Sequence, residues 1–147
     1  MINPYDDSFF MREALEEAQQ AFEKKEVPIG AVLVANNQII SRAHNQSEML
    51  CDPTAHAEMI AITSACNSLG AKFLEECTLY VTLEPCPMCA GALRWSRVGK
   101  IVYGASDEKG GFLNFSPDVL HKKTKLISGI EEHKCQDLMQ TFFKEKR

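Results

Sequence analysis

No apolar run in this 147-residue sequence is long enough to span a bilayer, so no membrane partner is expected. No basic segment followed by an apolar one stands at the start. Met1-Ile2-Asn3-Pro4-Tyr5-Asp6-Asp7 is polar and acidic instead, and the expectation is a cytoplasmic location. Internal repeats, low-complexity tracts and linkers are absent as well, which leaves residues 1–147 as one domain, long enough to bury a single core. Positive charge is scarce. The net charge of −4 argues against a general nucleic-acid binder. The shortage is uneven, however. Residues 1–93 hold more than twice as many acidic as basic side chains, whereas residues 94–147 are net basic, so a polyanion would dock on the later part. From charge alone, the plainer alternative is a solvated C-terminal helix with scattered lysines.

What is present orders itself by periodicity. Met11, Ala14, Leu15, Ala18, Ala21 and Phe22 recur at three- and four-residue spacing. They predict an amphipathic helix over residues 7–26, capped by Asp7 and ended by Val27-Pro28-Ile29-Gly30. Residues 31–35 and 38–42 read as a hairpin turned at Asn36-Asn37. A second helix is expected over residues 54–69, closed by Gly70 and largely buried through Met59, Ile60, Ile62, Ala65 and Leu69. Residues 78–83 read as a strand, 87–96 as a helix with proline in its first turn, and 100–103 as a strand. Residues 104–123 read as a loop with one short turn, 124–127 as a weak strand signal, and 130–146 as a final helix. His44, His121 and His133 read as surface polar groups. Strands alternating with helices predict an α/β fold, a mixed sheet covered on both faces. In such folds ligands sit at strand ends and helix N-termini.

Two stretches carry the chemistry: His56-Ala57-Glu58 and Pro85-Cys86-Pro87-Met88-Cys89. Cys86 and Cys89 lie three apart at a helix start, so both sulfurs face one side. The positive end of that helix favours thiolates. His56 opens another helix and offers a nitrogen. Two sulfurs and one nitrogen suit Zn²⁺ and suit calcium or magnesium poorly. There is no second Cys-x-x-Cys and no other histidine placed as a fourth ligand. Three protein ligands and one open position are the arrangement of a catalytic zinc, here one Zn²⁺ per subunit. Glu58, two residues after His56, sits close without sharing its direction. A carboxylate there can take a proton from metal-activated water and return it to a leaving group. The competing readings are a redox pair at Cys86 and Cys89, and a His56 with no role beyond starting a helix. The Pro-Met between the cysteines and the joint presence of Glu58 speak against both. Cys51, Cys66, Cys77 and Cys135 read as plain core or surface residues.

His56-Ala57-Glu58 followed by Pro85-Cys86-Pro87-Met88-Cys89 matches the H-x-E…P-C-x-x-C signature of zinc nucleobase deaminases. The likeness extends to residues 26–34, 52–58 and 78–92, and covers most of residues 8–110. The chain resembles the bacterial tRNA-specific adenosine deaminases. That resemblance implies a cytidine-deaminase-like three-layer α/β/α sandwich with a five-stranded mixed sheet, and a homodimer. It implies conversion of adenosine to inosine at the wobble position of a tRNA anticodon, with Glu58 as the proton shuttle and His56, Cys86 and Cys89 as zinc ligands. Val27, Pro28, Ile29 and Ala57 would line the base pocket, and Asn45 would contact the flipped nucleoside. Leu83 and Asp107 would meet neighbouring nucleotides of the anticodon arm. Phe142-Phe143 with Lys144 and Arg147 resembles the family's aromatic and basic C-terminal helix, where aromatic faces and cations suit splayed bases. Core packing is the other reading of the two phenylalanines, and for at least one of them the expected one. From Gly110 to His121 the chain departs from the family pattern.

Two other functions compete. One is a deaminase of a free base or nucleoside, guanine or cytosine, using the same zinc chemistry. The altered 110–121 segment and the acidic total charge favour it, while the basic later part, Asp107 and the Phe142-Phe143 helix favour the RNA substrate. The other is a non-catalytic zinc-stabilised RNA-binding module. Glu58 argues against it, because a purely structural site has no use for an acid beside the metal.

Overall fold

A computed structural model describes residues 4–146. Arg147 of the expected basic tail, and Met1, Ile2 and Asn3 of the acidic start, lie outside the described residues. The chain runs α1 (Asp7–Glu23), β1 (Gly30–Ala35), β2 (Gln38–His44), α2 (Ala57–Leu69), β3 (Thr78–Leu83) and α3 (Pro87–Ser96). It continues through β4 (Lys100–Ala105), a short 3-10 turn (Phe112–Asn114), β5 (Lys125–Ser128) and α4 (Glu132–Glu145).

The strands form one five-stranded sheet in the order β2-β1-β3-β4-β5. β1 is antiparallel to both β2 and β3, and β3, β4 and β5 run parallel. Side chains alternate between the two faces, as strand geometry requires. Ala31, Leu33, Leu79, Val81 and Ile101 pack with Ala57, Ala61 and Ala65 of α2 and Leu93 of α3. Val32, Val34, Tyr80 and Val102 pack with Phe10, Met11 and Ala14 of α1 and Cys135 of α4. The result is the expected three-layer sandwich, with α1 and α4 on one face and α2 and α3 on the other.

Several boundaries move for local reasons. α1 is capped by Asp6, whose Oδ1 accepts from the Phe9 N–H at 2.8 Å, and not by Asp7. It ends at Glu23 because Lys25 adopts a left-handed φ of 63° and the Glu26 N–H reaches back to the Ala21 carbonyl at 2.9 Å. α2 starts at Ala57 and not Thr54. Asp52 Oδ1 accepts from the Thr54 N–H at 2.8 Å and the Thr54 hydroxyl at 2.7 Å, a turn that keeps this segment out of the helix up to His56. Nor is α2 largely buried. Ala57, Glu58, Ala61 and Ala65 face the sheet, while Met59, Ile60 and Ile62 are half-buried and Leu69 is exposed. Gly104 and Ala105, expected in a loop, belong to β4, and Phe112 is buried.

His44 is a correction too. It is buried, not a surface group, and its Nδ1 lies 3.2 Å from Glu17 Oε1 on α1. Polarity in the local sequence cannot show that a helix begun more than thirty residues earlier will cover the end of β2. That covering is close. A Cβ on Gly30 would overlap the backbone of Ala14 and Ala18, so only glycine lets α1 lie this near to β1. Gly30→Ala is therefore expected to cost about 1–3 kcal/mol through overpacking. Urea unfolding of the variant against the parent checks this, with the zinc content of both held equal.

Candidate active site

Two helix N-termini meet beyond the end of β3. His56 is the N-cap of α2 and Cys86 the N-cap of α3, and neither side chain makes a cap hydrogen bond. They turn toward each other instead. His56 Nδ1 lies 3.6 Å from Cys86 Sγ and 3.5 Å from Cys89 Sγ. All three donor atoms fall within 4.8 Å of one another. Zinc bound at about 2.3 Å to sulfur and about 2.05 Å to nitrogen, at tetrahedral angles, holds sulfur and nitrogen about 3.6 Å apart. The two nitrogen–sulfur separations match that tetrahedral edge, so the donor set fits a zinc ion. Uncapped N–H groups at both helix starts add a positive field that suits thiolate ligands.

Protonation follows from the same crowding. The Cys86 thiol is held down to about 4, chiefly by a hydrogen bond from Cys89, with a further one from His56. Cys89 is pushed up because it donates that bond to Cys86 and is buried. His56 is raised by its hydrogen bond with Cys86. Glu58, in the first turn of α2, is buried, and burial raises its carboxyl from an ordinary 4.5 to about 7. Its Oε1 is shut away from solvent with no hydrogen-bond partner among the described residues. A buried oxygen without a partner costs about 1–3 kcal/mol. Such an atom beside three converging metal donors is what a proton-carrying group at a reaction centre requires.

An open groove of about 1060 Å³ is walled by Val27, Ile29, Leu83, Asp107, Lys109, Gln136, Met139, Phe143 and Lys144 among others; His56, Glu58, Cys86 and Cys89 do not line it, and Leu83, three residues before Cys86, is its nearest wall residue to the donors in the chain. Of the residues expected to touch substrate, Val27, Ile29, Leu83, Asp107 and Phe143 line it. Pro28, Asn45 and Ala57 are buried and outside the lining. The Asn45 side chain donates to the Val27 carbonyl at 3.4 Å, and its backbone N–H donates to the Ile29 carbonyl at 3.0 Å, so it holds the wall. Phe142 is a core residue. It is buried against Phe22, with ring centroids 6.0 Å apart, while its neighbour Phe143 is 47% exposed.

Sequence reasoning missed two buried glutamates. Glu26 accepts from the N–H groups of Glu48 at 3.0 Å and Met49 at 2.7 Å, pinning the loop that precedes His56. Glu84 accepts from those of Asp107 and Leu113, each at 3.1 Å. The signal available was position, since each stands directly beside a wall residue, Val27 or Leu83.

A cytidine-deaminase-like sandwich with a His/Cys/Cys donor set at paired helix N-termini defines a deaminase domain, and the model of the MafB19-like deaminase family matches residues 5–147. The tRNA-specific adenosine deaminase of Bacillus subtilis is 50% identical over 146 residues, covering 96% of this chain and 91% of that protein. Its counterpart in Aquifex aeolicus is 48% identical over 145 residues, covering 95% of each. A solved structure from work on A-to-I editing by tRNA:A34 deaminases superposes with a TM-score of 0.83 at 43% identity, covering 89% of this chain and 99% of that one. The chain belongs to the tRNA-specific adenosine deaminase family.

The raised Glu58 carboxyl sets a pH dependence in the metal-free protein. Its folded pKa lies above its unfolded value, so its relative stabilisation is full below pH 4.5 and is lost as pH rises to about 7. The stability difference between chelator-treated wild type and Glu58→Gln is expected to shift by about 3 kcal/mol against wild type over that window. Denaturant titrations of both proteins across the range measure it.

Proposed function

We propose that residues 1–147 form a single zinc-dependent deaminase domain that converts adenosine to inosine at the wobble position of a tRNA anticodon, in the cytoplasm. The observation that carries the reaction is the His56–Cys86–Cys89 triangle with Glu58 buried beside it. Bound zinc, one ion per subunit, would supply an acidified water, with a pKa brought from near 16 to about 7. His56, Cys86 and Cys89 would hold the ion. Glu58 takes the proton, keeps it out of bulk water and delivers it to the amino group leaving C6. Water and adenosine go in; inosine and ammonia come out.

Recognition is the work of the groove. Val27, Ile29 and Leu83 offer apolar wall to a purine and its neighbours, Asn45 donates hydrogen bonds to the carbonyls of the first two, and Pro28 and Ala57 are proposed to complete the base pocket. Phe143 gives an exposed ring for stacking, and Lys109 and Lys144 give cations for phosphate. Asp107 lines the groove together with residues of α4. The tRNA substrate is supported by the relatives that share about half of their residues with this chain. No helix among the described residues is long and apolar enough to cross a membrane.

A second copy of the chain is the partner proposed for α3. Met88 and Trp95 stand seven residues apart on that helix, so they share a face, and both are exposed, Trp95 by 80%. An aromatic that open on a helix surface is a docking anchor. Trp95→Glu is expected to shift the protein from dimer to monomer in sedimentation equilibrium.

The reaction is tested on an anticodon stem-loop with adenosine at the wobble position. Purified protein converts it to inosine, and Glu58→Ala lowers kcat by at least about 100-fold while zinc stays at one per chain. Wild type that leaves the stem-loop unchanged yet releases ammonia from guanine or cytosine would overturn the choice of substrate. Full activity in Glu58→Ala would overturn the proton shuttle.

A further inference from the structure

Leu83, the last residue of β3, lines the groove, and Cys86 begins the metal site. Between them stands Glu84, buried and with no part in either role described so far. Its three hydrogen bonds all go to one segment. The Glu84 N–H donates to the Ala105 carbonyl at 2.8 Å. Oε1 accepts from the Asp107 N–H and Oε2 from the Leu113 N–H, each at 3.1 Å. Next door, the Pro85 carbonyl accepts from the Phe112 N–H at 2.9 Å. The 105–113 segment is thereby stitched to the short connection between groove and metal ligands. Its own backbone tightens around Asp107, whose Oδ1 accepts from Lys109 at 3.2 Å and Gly110 at 2.9 Å. The fit leaves no slack, because a Cβ on Gly111 would overlap the Glu84 carboxylate.

We propose that Glu84 is a positioning residue that fixes the Asp107 wall of the groove in register with the metal-bearing loop, so that a substrate seated in the groove is held over the reaction centre. The inference rests on the reading that this groove takes the anticodon arm. The two carboxylate oxygens suit the task because they accept from N–H groups six residues apart with one rigid fork. A carboxamide in the same place brings a donor to one of those N–H groups and leaves it without a partner.

Zinc-loaded Glu84→Gln is compared with wild type on the anticodon stem-loop. KM is expected to rise about tenfold, with kcat within about threefold and zinc still at one per chain. Amide exchange at Asp107 and Leu113 speeds up in the same variant. Gly111→Ala, which keeps the carboxylate but displaces it, raises KM likewise. The double variant is expected to be no worse than the worse single one, since both break one linkage. If Glu84→Gln fails to fold, Gly111→Ala alone carries the test. A fall in melting temperature with KM and amide exchange unchanged, in a protein whose wild type edits the stem-loop, overturns the inference. Additive KM effects overturn it as well. Wild type that neither binds nor edits the stem-loop overturns the reading of the groove, and this inference with it.

Discussion

Everything in the molecule is subordinate to one constraint: two helices must begin at the same point. His56 and Cys86 are N-cap residues of separate helices, thirty positions apart, and their donor atoms close to a tetrahedral edge. α2 can bring its first turn there because alanines at 57, 61 and 65 let it lie low on the sheet. α3 follows β3 directly, so the direction of that central strand aims Cys86 and Cys89. On the other face Gly30 and Gly104 let α1 and α4 come equally close, Gly104 against the Cys135 sulfur. The packing density of both layers is thus a condition for the metal geometry.

The same closeness supplies the electrostatics. Glu58 is buried because α2 presses its first turn onto the sheet, and that burial is the chief cause that lifts its carboxyl toward neutrality. Cys86 is pulled the other way by hydrogen bonds from its neighbours. Groups a few ångströms apart therefore differ in proton affinity because one is dry and another is solvated by thiol and imidazole. Glu26 and Glu84 put buried carboxylates to a different use. Each spends its oxygens on backbone N–H groups of a loop, so that irregular segments are tied down by buried carboxylates.

Much of this was legible in the chain as written. The hairpin at Asn36-Asn37, with both residues at positive φ, and the proline-led start of α3 follow from local stereochemistry. Among the described residues, periodicity and turn signals found all four α-helices and five strands, with both ends of β3 and α3 as expected and at least one end of each other element displaced. At Lys25 and at Asp52–Thr54, side-chain and turn hydrogen bonds outcompete the helical pattern. The lining of the groove was half legible. Val27, Ile29, Leu83, Asp107 and Phe143 line it, whereas Phe142 turns into the core because one helix face cannot hold two adjacent residues.

The sequence by itself determined the donor set, because ligand type and the Cys-x-x-Cys and His-x-Glu spacings are local properties that a helix start converts directly into direction. Only the tertiary structure decided which polar groups are dry. Glu17 and His44, Glu26 and Met49, and Glu84 and Leu113 are brought together from 23 to 29 residues apart. Their burial depends on how layers stack, which no short window of sequence contains.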